Sequence, residues 1–304
     1  MSADPANPHL GWNVLRDVGE LVEYHFMVNA LLAGAIVAVM SAAVGWVMVL
    51  RRQTFAGHTL SMMAFPGASA ATLAGLPVAW GYFAFCGAGA LIIGRVGGSE
   101  RRTWSEESAS IGAFQAVALA AGFLFVSLYG GVLGDLDSLL FGDVLGISDG
   151  QVLVLASVAA ASLAVLVMLA RPLLFASVDP DVAGARGVPV RALSVVFLAV
   201  LGLAVAATSQ ITGPLLVFAL LLMPAASAQT ITARPIPSLA LTLLFGVGVT
   251  WLGLGISYFS VYPAGFFIAT ISFAGYVLVR AGAALLGVRR ARPADPMPVD
   301  GVIA

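Results

Sequence analysis

The sequence predicts an all-α membrane protein, a bundle of about nine transmembrane helices, and three observations support this. The mean hydropathy of the chain is +1.01. Of its 304 residues 60% are hydrophobic and only 10% are charged, whereas a soluble domain has about 25% charged residues. Apolar stretches of about 20 residues, the length that crosses a bilayer, follow one another along most of the chain. These features leave too few charges to coat a soluble domain, so we expect a single membrane domain.

Nine stretches meet the length and hydropathy expected of a membrane span. They are residues 26–50, 57–75, 78–96, 108–130, 151–170, 190–209, 213–232, 237–258 and 263–286. Residues 131–149 carry four aspartates and are predicted to form a loop or a partly inserted helix. We therefore expect a polar extracytoplasmic tail at 1–24, a transmembrane domain at 25–288 and a disordered cytoplasmic tail at 289–304.

The arginines fix the predicted orientation, because loops on the cytoplasmic side carry an excess of positive charge. With nine spans, thirteen of the fourteen arginines fall on one side, and only Arg16 falls on the other. The thirteen are Arg51, Arg52, Arg95, Arg101, Arg102, Arg171, Arg186, Arg191, Arg234, Arg280, Arg289, Arg290 and Arg292. The predicted location is the cytoplasmic membrane, with the N-terminus outside and the C-terminus inside.

The opposite face is predicted to be acidic. Eight carboxylates fall there, and Asp135, Asp137 and Asp143 lie in the loop between the fourth and fifth spans. An acidic mouth concentrates cations and repels anions. The alternative is an ordinary solvated loop and tail, in which acidic residues are common.

The chain contains no lysine, which excludes two kinds of chemistry. A phosphate-binding P-loop requires a lysine, so the chain has no ATPase motif of that type. Schiff-base catalysis through lysine is excluded as well. A single cysteine, Cys86, forms neither an internal disulfide nor a thiolate metal cluster. We expect no enzymatic activity, no permanently bound cofactor and no nucleic-acid partner.

His58 and Met62 are candidate metal ligands near the start of the second span. They lie four residues apart, so they share one helix face. Imidazole and thioether together suit soft or borderline metal ions. Pro66 leaves the Met62 carbonyl without its helical hydrogen bond, which adds an oxygen one turn away. The alternative is that His58 caps the helix start and Met62 packs against its neighbours.

Two other segments are unusual for their prolines. Pro224 follows an apolar run and precedes small residues at 225–228 that allow close approach of another helix; the alternative is tight packing at a kink. In the basic segment at about 172–189, Asp179 and Pro180 are typical of an N-cap and a first helical residue, and Gly187 could end that short helix. Such a helix suits docking to a soluble partner, and the alternative is a plain loop.

The ordered set of motifs from about residue 26 to 280 resembles the permeases of metal-ion ABC importers, which carry zinc, manganese or iron. The similar segments are RRQTFAGHTLS at 51–61 with Pro66-Gly67, LFGDVL at 140–145, the segment at 175–187, LLMPAA at 221–226 and PAG at 263–265. The resemblance implies a type II importer-like permease. It also implies that Phe175, Asp179, Ala183 and Gly187 belong to the segment that couples to an ATPase.

One departure from the family pattern bears on the cargo. Family members usually carry Asp and His, four residues apart, at the positions of His58 and Met62. Here an imidazole and a thioether replace a carboxylate and an imidazole, which makes the ligand set softer. Softer ligands favour zinc over manganese as the cargo, and iron and copper remain possible cargoes. A chelate such as haem or cobalamin is an alternative cargo.

The resemblance further implies a homodimer in lipid, two cytoplasmic ATPase subunits and an extracytoplasmic metal-binding protein. The alternative function is a stand-alone secondary carrier, but such carriers commonly have internal repeats and acidic residues at mid-membrane. The sequence shows no clear repeat and no acidic residue in the middle of a span.

Overall fold

The computed structural model describes residues 23–96, 104–129, 140–142, 146–214, 216–260 and 262–286, together with Gly19. Its elements are all helices over these residues. In chain order they are α1 (His25–Leu50), α2 (Thr54–Leu73), α3 (Val78–Val96), α4 (Trp104–Tyr129), α5 (Asp149–Met168), α6 (Ala170–Val178), α7 (Pro180–Ala185), α8 (Val190–Thr212), α9 (Val217–Ile231), α10 (Pro235–Tyr258) and α11 (Ala264–Leu285).

Each of the nine predicted spans coincides with one of these helices, which confirms the predicted membrane bundle. Seven helices in the described part of the chain are long and apolar enough to cross a membrane. The other two are α2, which carries more polar residues, and α9, which has only 15 residues. At about 1.5 Å per residue α9 is shorter than the ~30 Å hydrocarbon layer. The two short helices α6 and α7 lie between α5 and α8.

Helix α1 forms the centre of the bundle. It packs against α5, α8, α9 and α10, and 72% of its apolar window is buried. In α4, by contrast, only 11% of the window is buried, and Val117 is 71% exposed. Because lipid chains are as apolar as these side chains, an exposed apolar helix face is stable in a bilayer. We infer that α4 lies at the periphery of the chain.

Small residues allow the central helices to approach closely. A Cβ added at Gly45 of α1 would overlap the Leu221 carbonyl of α9, and Gly67 of α2 meets Gly81 of α3 in the same way. Without a hydrophobic driving force between helices in lipid, such close van der Waals contact is the main source of packing energy.

Two side-chain contacts agree with the predicted sorting of the helix ends into two sides. At one side, His25 at the start of α1 contacts Asp149 at the start of α5, with Nε2 and Oδ1 3.1 Å apart. At the other side, Trp46 near the end of α1 donates through its indole Nε1 to Ser238 near the start of α10, at 3.0 Å. The orientation of these sides in the cell stays a prediction.

The segment between α5 and α8 is a pair of short helices. The predicted cap is confirmed, because the Asp179 carboxylate accepts from the Val182 backbone N–H at 3.0 Å and Pro180 is the first residue of α7. Gly187, with φ of +83°, follows α7. The fifth span, predicted to end at residue 170, ends at Met168, and Pro172 lies in the first turn of α6.

Some predictions fall outside the described residues. These are the acidic mouth residues Asp135, Asp137 and Asp143, most of the 1–24 tail, and the 289–304 tail. The domain boundaries at 24 and 288 therefore stay predictions.

Candidate metal pathway

A narrow half-exposed stripe runs along α2. Thr54, His58, Met62 and Ala70 are half-buried and repeat at multiples of four residues, while nearly all of the helix between them is buried. The predicted shared face of His58 and Met62 is therefore present. The alternative of His58 as a capping residue is wrong, because α2 begins at Thr54 and its N-cap is Gln53.

His58 lies in the second turn of α2, and its neighbour Gly57 packs against Met48 in the last turn of α1. The carbonyl of Leu60, two residues further on, accepts from the Cys86 thiol at 3.6 Å. The Cys86 carbonyl in turn lies 2.9 Å from the position that a Cβ on Gly202 would take. Cys86 and Gly202 are near the middle of α3 and α8. A histidine inside a membrane helix is costly in lipid and marks a functional site by default.

The His58 ring packs against Phe218 of α9. The two rings meet edge to face with centroids 5.1 Å apart, a favourable aromatic geometry. Phe218 shares a half-exposed face of α9 with Leu222, Met223 and Ala226. The α2 stripe and this α9 face therefore border one another at the His58–Phe218 contact. No spacing in the sequence relates Phe218 to His58, so sequence reasoning missed it.

One chain supplies an incomplete metal site. Within the described residues, no group of three or more His, Cys, Asp or Glu side chains could hold a metal ion. His58 and Met62 offer one nitrogen and one sulfur, whereas a closed tetrahedral site needs four ligands. A metal ion at this stripe would need further donors from water, from backbone carbonyls or from a second copy of the chain.

The two prolines assigned to the pathway are buried inside continuous helices. Pro66 lies in α2, and a Cβ on Gly122 of α4 would come within 3.1 Å of its Cα. Ser69 donates its hydroxyl to the Pro66 carbonyl at 3.2 Å, which provides a partner for one backbone group in this region. Pro224 lies in α9, where the Ser227 hydroxyl donates to the Met223 carbonyl at 2.7 Å.

Three distant motifs meet at the turn between α8 and α9. Gly213, with φ of +74°, ends α8, and a Cβ there would overlap the Leu140 carbonyl. Gly142, with φ of +77°, lies against Ile211. A Cβ on Gly265 would come within 2.6 Å of the Thr212 carbonyl and 3.1 Å of the Phe141 carbonyl. Only glycine fits this junction, because of its positive φ at two positions and the close backbone approach at all three.

The comparison with known proteins identifies the family. A profile of the ABC 3 transport family matches residues 23–282. The chain belongs to the ABC 3 transport family. This confirms the resemblance that the ordered motifs indicated.

Relatives and a solved structure agree with this assignment. The chain is 31% identical to the manganese transport system membrane protein MntC of Halalkalibacterium halodurans, over 80% of this chain and 81% of that protein. It is 28% identical to the manganese import system permease protein ScaB of Streptococcus gordonii, over 78% and 84%. A chain of PsaBC from Streptococcus pneumoniae, solved in complex with Fab, superposes with a TM-score of 0.76 at 27% identity and covers 88% of this chain and 95% of its own length.

The segment at 172–189 presents an apolar surface in this ABC 3 chain. Phe175, Val178 and Val182 are 39%, 82% and 45% exposed. Of the residues that the family resemblance assigned to coupling, Gly187 is exposed and Asp179 is half-buried. Ala183 is fully buried. Its side chain therefore packs α7 against the bundle and is not accessible to a docking partner.

Proposed function

We propose that the chain is the permease subunit of an ATP-driven importer, which moves a divalent metal ion across the cytoplasmic membrane. The half-buried His58–Met62 stripe on α2, in a chain of the ABC 3 transport family, supports this most directly. Polar groups inside a membrane bundle face its interior or a water-filled cavity rather than lipid. The stripe therefore lines the translocation pathway.

The pathway forms between two copies of the chain. A two-fold axis beside α2 would bring two imidazoles and two thioethers together, which completes the four donors of a tetrahedral site. The same contact would remove His58 from lipid, and Phe218 would hold the imidazole from behind.

Zinc is the favoured cargo on donor chemistry, and manganese is its direct competitor. A nitrogen and sulfur site suits zinc, whereas manganese prefers carboxylate oxygen. The relatives named above are a manganese transporter and a manganese importer by name. We give donor chemistry more weight at this one site, because His58 and Met62 are this chain's own residues. Iron is the third candidate.

The energy for transport comes from ATP hydrolysis on a partner protein, because this chain has no lysine for a P-loop. Two cytoplasmic ATPase subunits bind the exposed surface at Phe175, Val178 and Val182. Their closure on ATP switches the pathway between outward-open and inward-open states. An extracytoplasmic binding protein delivers the metal to the N-terminal side of the molecule.

Uptake into proteoliposomes containing the complete transporter tests this function. We expect ATP-dependent uptake of Zn²⁺, with Mn²⁺ and Fe²⁺ measured in parallel. His58→Ala should abolish uptake and leave assembly intact, whereas His25→Ala, which removes an exposed imidazole at the outer end, should preserve it. Equal uptake of all three metals by the His58→Ala and unmodified transporters would contradict the ligand role. Uptake without ATP or partners would instead indicate a secondary carrier.

A further inference from the structure

Arg51 links α1 to α8 at the side predicted to be cytoplasmic. Its Nη2 donates to the Ser194 hydroxyl at 2.7 Å, and its guanidinium carbon lies 5.7 Å from the ring centroid of Phe197. Phe197 is only 1% exposed, so the guanidinium stacks on a fixed aromatic surface. Burial lowers the pKa of the Arg51 side chain, but a guanidinium stays charged at neutral pH.

The same side chain reaches the start of α2. Arg51 Nε donates to the Gln53 side-chain oxygen at 3.4 Å, and Gln53 is the N-cap residue of α2. The connection between α1 and α2 is a tight turn: the Gln53 N–H donates to the Met48 carbonyl at 3.0 Å, and Arg52 has a φ of +57°. A displacement of Arg51 therefore moves the first turn of α2, one turn before His58.

On its other side Arg51 is connected to the segment that docks the ATPase. Ser194 lies in the second turn of α8, and only residues 186–189 separate α8 from α7. This short connection folds back on α7, because the Val188 N–H donates to the Ala183 carbonyl at 3.0 Å. Since Ala183 is fully buried, α7 is fixed to the bundle on one face and exposed on the other.

Arg51 also carries a buried donor, Nη1, that has no hydrogen-bond partner among the described residues. An unsatisfied buried donor costs stability, and more so when it is charged. A donor left free in this state is available to a different partner in another state of the transporter.

We propose that Arg51 is a positioning residue that transmits the movement of α7 and α8 to α2 and its His58–Met62 pair. This rests on the proposed function, because it requires an ATPase that moves α7. The path runs from α7 through Ser194 to Arg51, and then through Gln53 to α2. Arg51 contacts neither metal nor nucleotide, so its loss uncouples the two sites without removing either.

The test is the number of metal ions imported per ATP hydrolysed by the complete transporter in proteoliposomes, with Zn²⁺ and Mn²⁺ as probes. Arg51→Gln and Ser194→Ala should each lower this ratio by about threefold to tenfold, the range typical of single residues that carry coupling between sites. Ser194→Thr keeps the hydroxyl and should restore the ratio. Arg52→Gln removes the same charge from the exposed neighbour and should leave the ratio unchanged.

Two further measurements separate coupling from simple damage. The affinity of the detergent-solubilised transporter for Zn²⁺ should stay within about twofold in all variants, because none removes a metal ligand. The double variant Arg51→Gln/Ser194→Ala should be no worse than Arg51→Gln alone, because the Ser194 hydroxyl has no guanidinium to bind once Arg51 is replaced.

The outcomes distinguish this inference from the proposed function. A normal ratio in both Arg51→Gln and Ser194→Ala would overturn the inference alone, and so would additive losses in the double variant. If Arg51→Gln fails to assemble, the inference is tested with Ser194→Ala and Ser194→Thr. A normal ratio of metal to ATP in Ser194→Ala would then overturn it. An unmodified transporter that hydrolyses ATP and moves none of Zn²⁺, Mn²⁺ and Fe²⁺ would overturn the proposed function, and this inference with it.

Discussion

Two adjacent methionines on α2 have opposite surroundings. Met62 is half-buried on the stripe with His58, whereas Met63 is 2% exposed and lies against Gly89 of α3, with its Cγ 3.1 Å from the position of an added Cβ. The two thioethers are chemically identical and differ only in the helix face that carries them. They therefore separate the effect of a ligand from the effect of packing.

Met62→Leu should reduce Zn²⁺ uptake, because leucine keeps the volume and removes the sulfur. Losing an outer partner of a metal ligand costs about 10–100-fold in affinity, so loss of a ligand itself should cost at least as much. Met63→Leu should leave uptake near normal, since a volume-conserving core exchange usually costs less than about 1.5 kcal/mol. Radioactive metal uptake at matched protein levels is the measurement, and equal uptake by the two variants would exclude Met62 as a ligand.

Helix α7 is short enough to depend on its cap. It has six residues, and its N-terminal N–H groups are satisfied in part by the Asp179 carboxylate on Val182 N at 3.0 Å. Such a helix is only marginally stable by itself, so its cap and its buried Ala183 keep its exposed face in one geometry. A docking partner that recognises this face would be sensitive to the cap.

Asp179→Ala should weaken the association with the ATPase subunits. Loss of an N-cap costs about 0.5–2 kcal/mol of helix stability. Asp179→Asn keeps an acceptor and should retain most of the association. Asp181→Ala removes an exposed carboxylate from the same turn and serves as the control. The fraction of ATPase retained on the purified permease is the measurement; an Asn variant as weak as the Ala variant would show that charge, rather than capping, matters.

At the scale of the whole molecule, the stripe on α2 is the feature for which we propose a second copy. The apolar exposed faces of peripheral helices such as α4 are stable in lipid, but a partly exposed imidazole within a span is not. Symmetric pairing across α2 would cover it and place equivalent residues opposite each other.

Cross-linking tests this arrangement. A cysteine at Met62 should form a covalent dimer with a short thiol-reactive cross-linker in membranes, because the proposed pairing would bring the two copies of the stripe face to face. A cysteine at Met63 should not, since that side chain is buried within one chain. The native Cys86 is fully buried and does not compete. Gel mobility under non-reducing conditions gives the result, and a monomer at both positions would rule out pairing across α2.

Much of the local structure was predictable from the sequence. All nine spans coincide with helices, and the cap at Asp179 was read from two adjacent residues. The contact of His25 with Asp149 and that of Trp46 with Ser238 agree with the sides assigned from the arginines. In a membrane each span must satisfy its own backbone hydrogen bonds, so a span is a local property that hydropathy and length reveal.

Only the tertiary structure decided which faces of these helices meet. The edge-to-face contact of His58 with Phe218, the junction of Gly142, Gly213 and Gly265, and the link from Arg51 to Ser194 join segments distant in sequence. A span that is apolar all round has no periodic pattern to mark its buried face, because lipid and protein interior are equally apolar. The sequence by itself therefore determined where the chain crosses the membrane and that His58 shares a face with Met62. The fit of side chains between helices placed the His58 ring against Phe218.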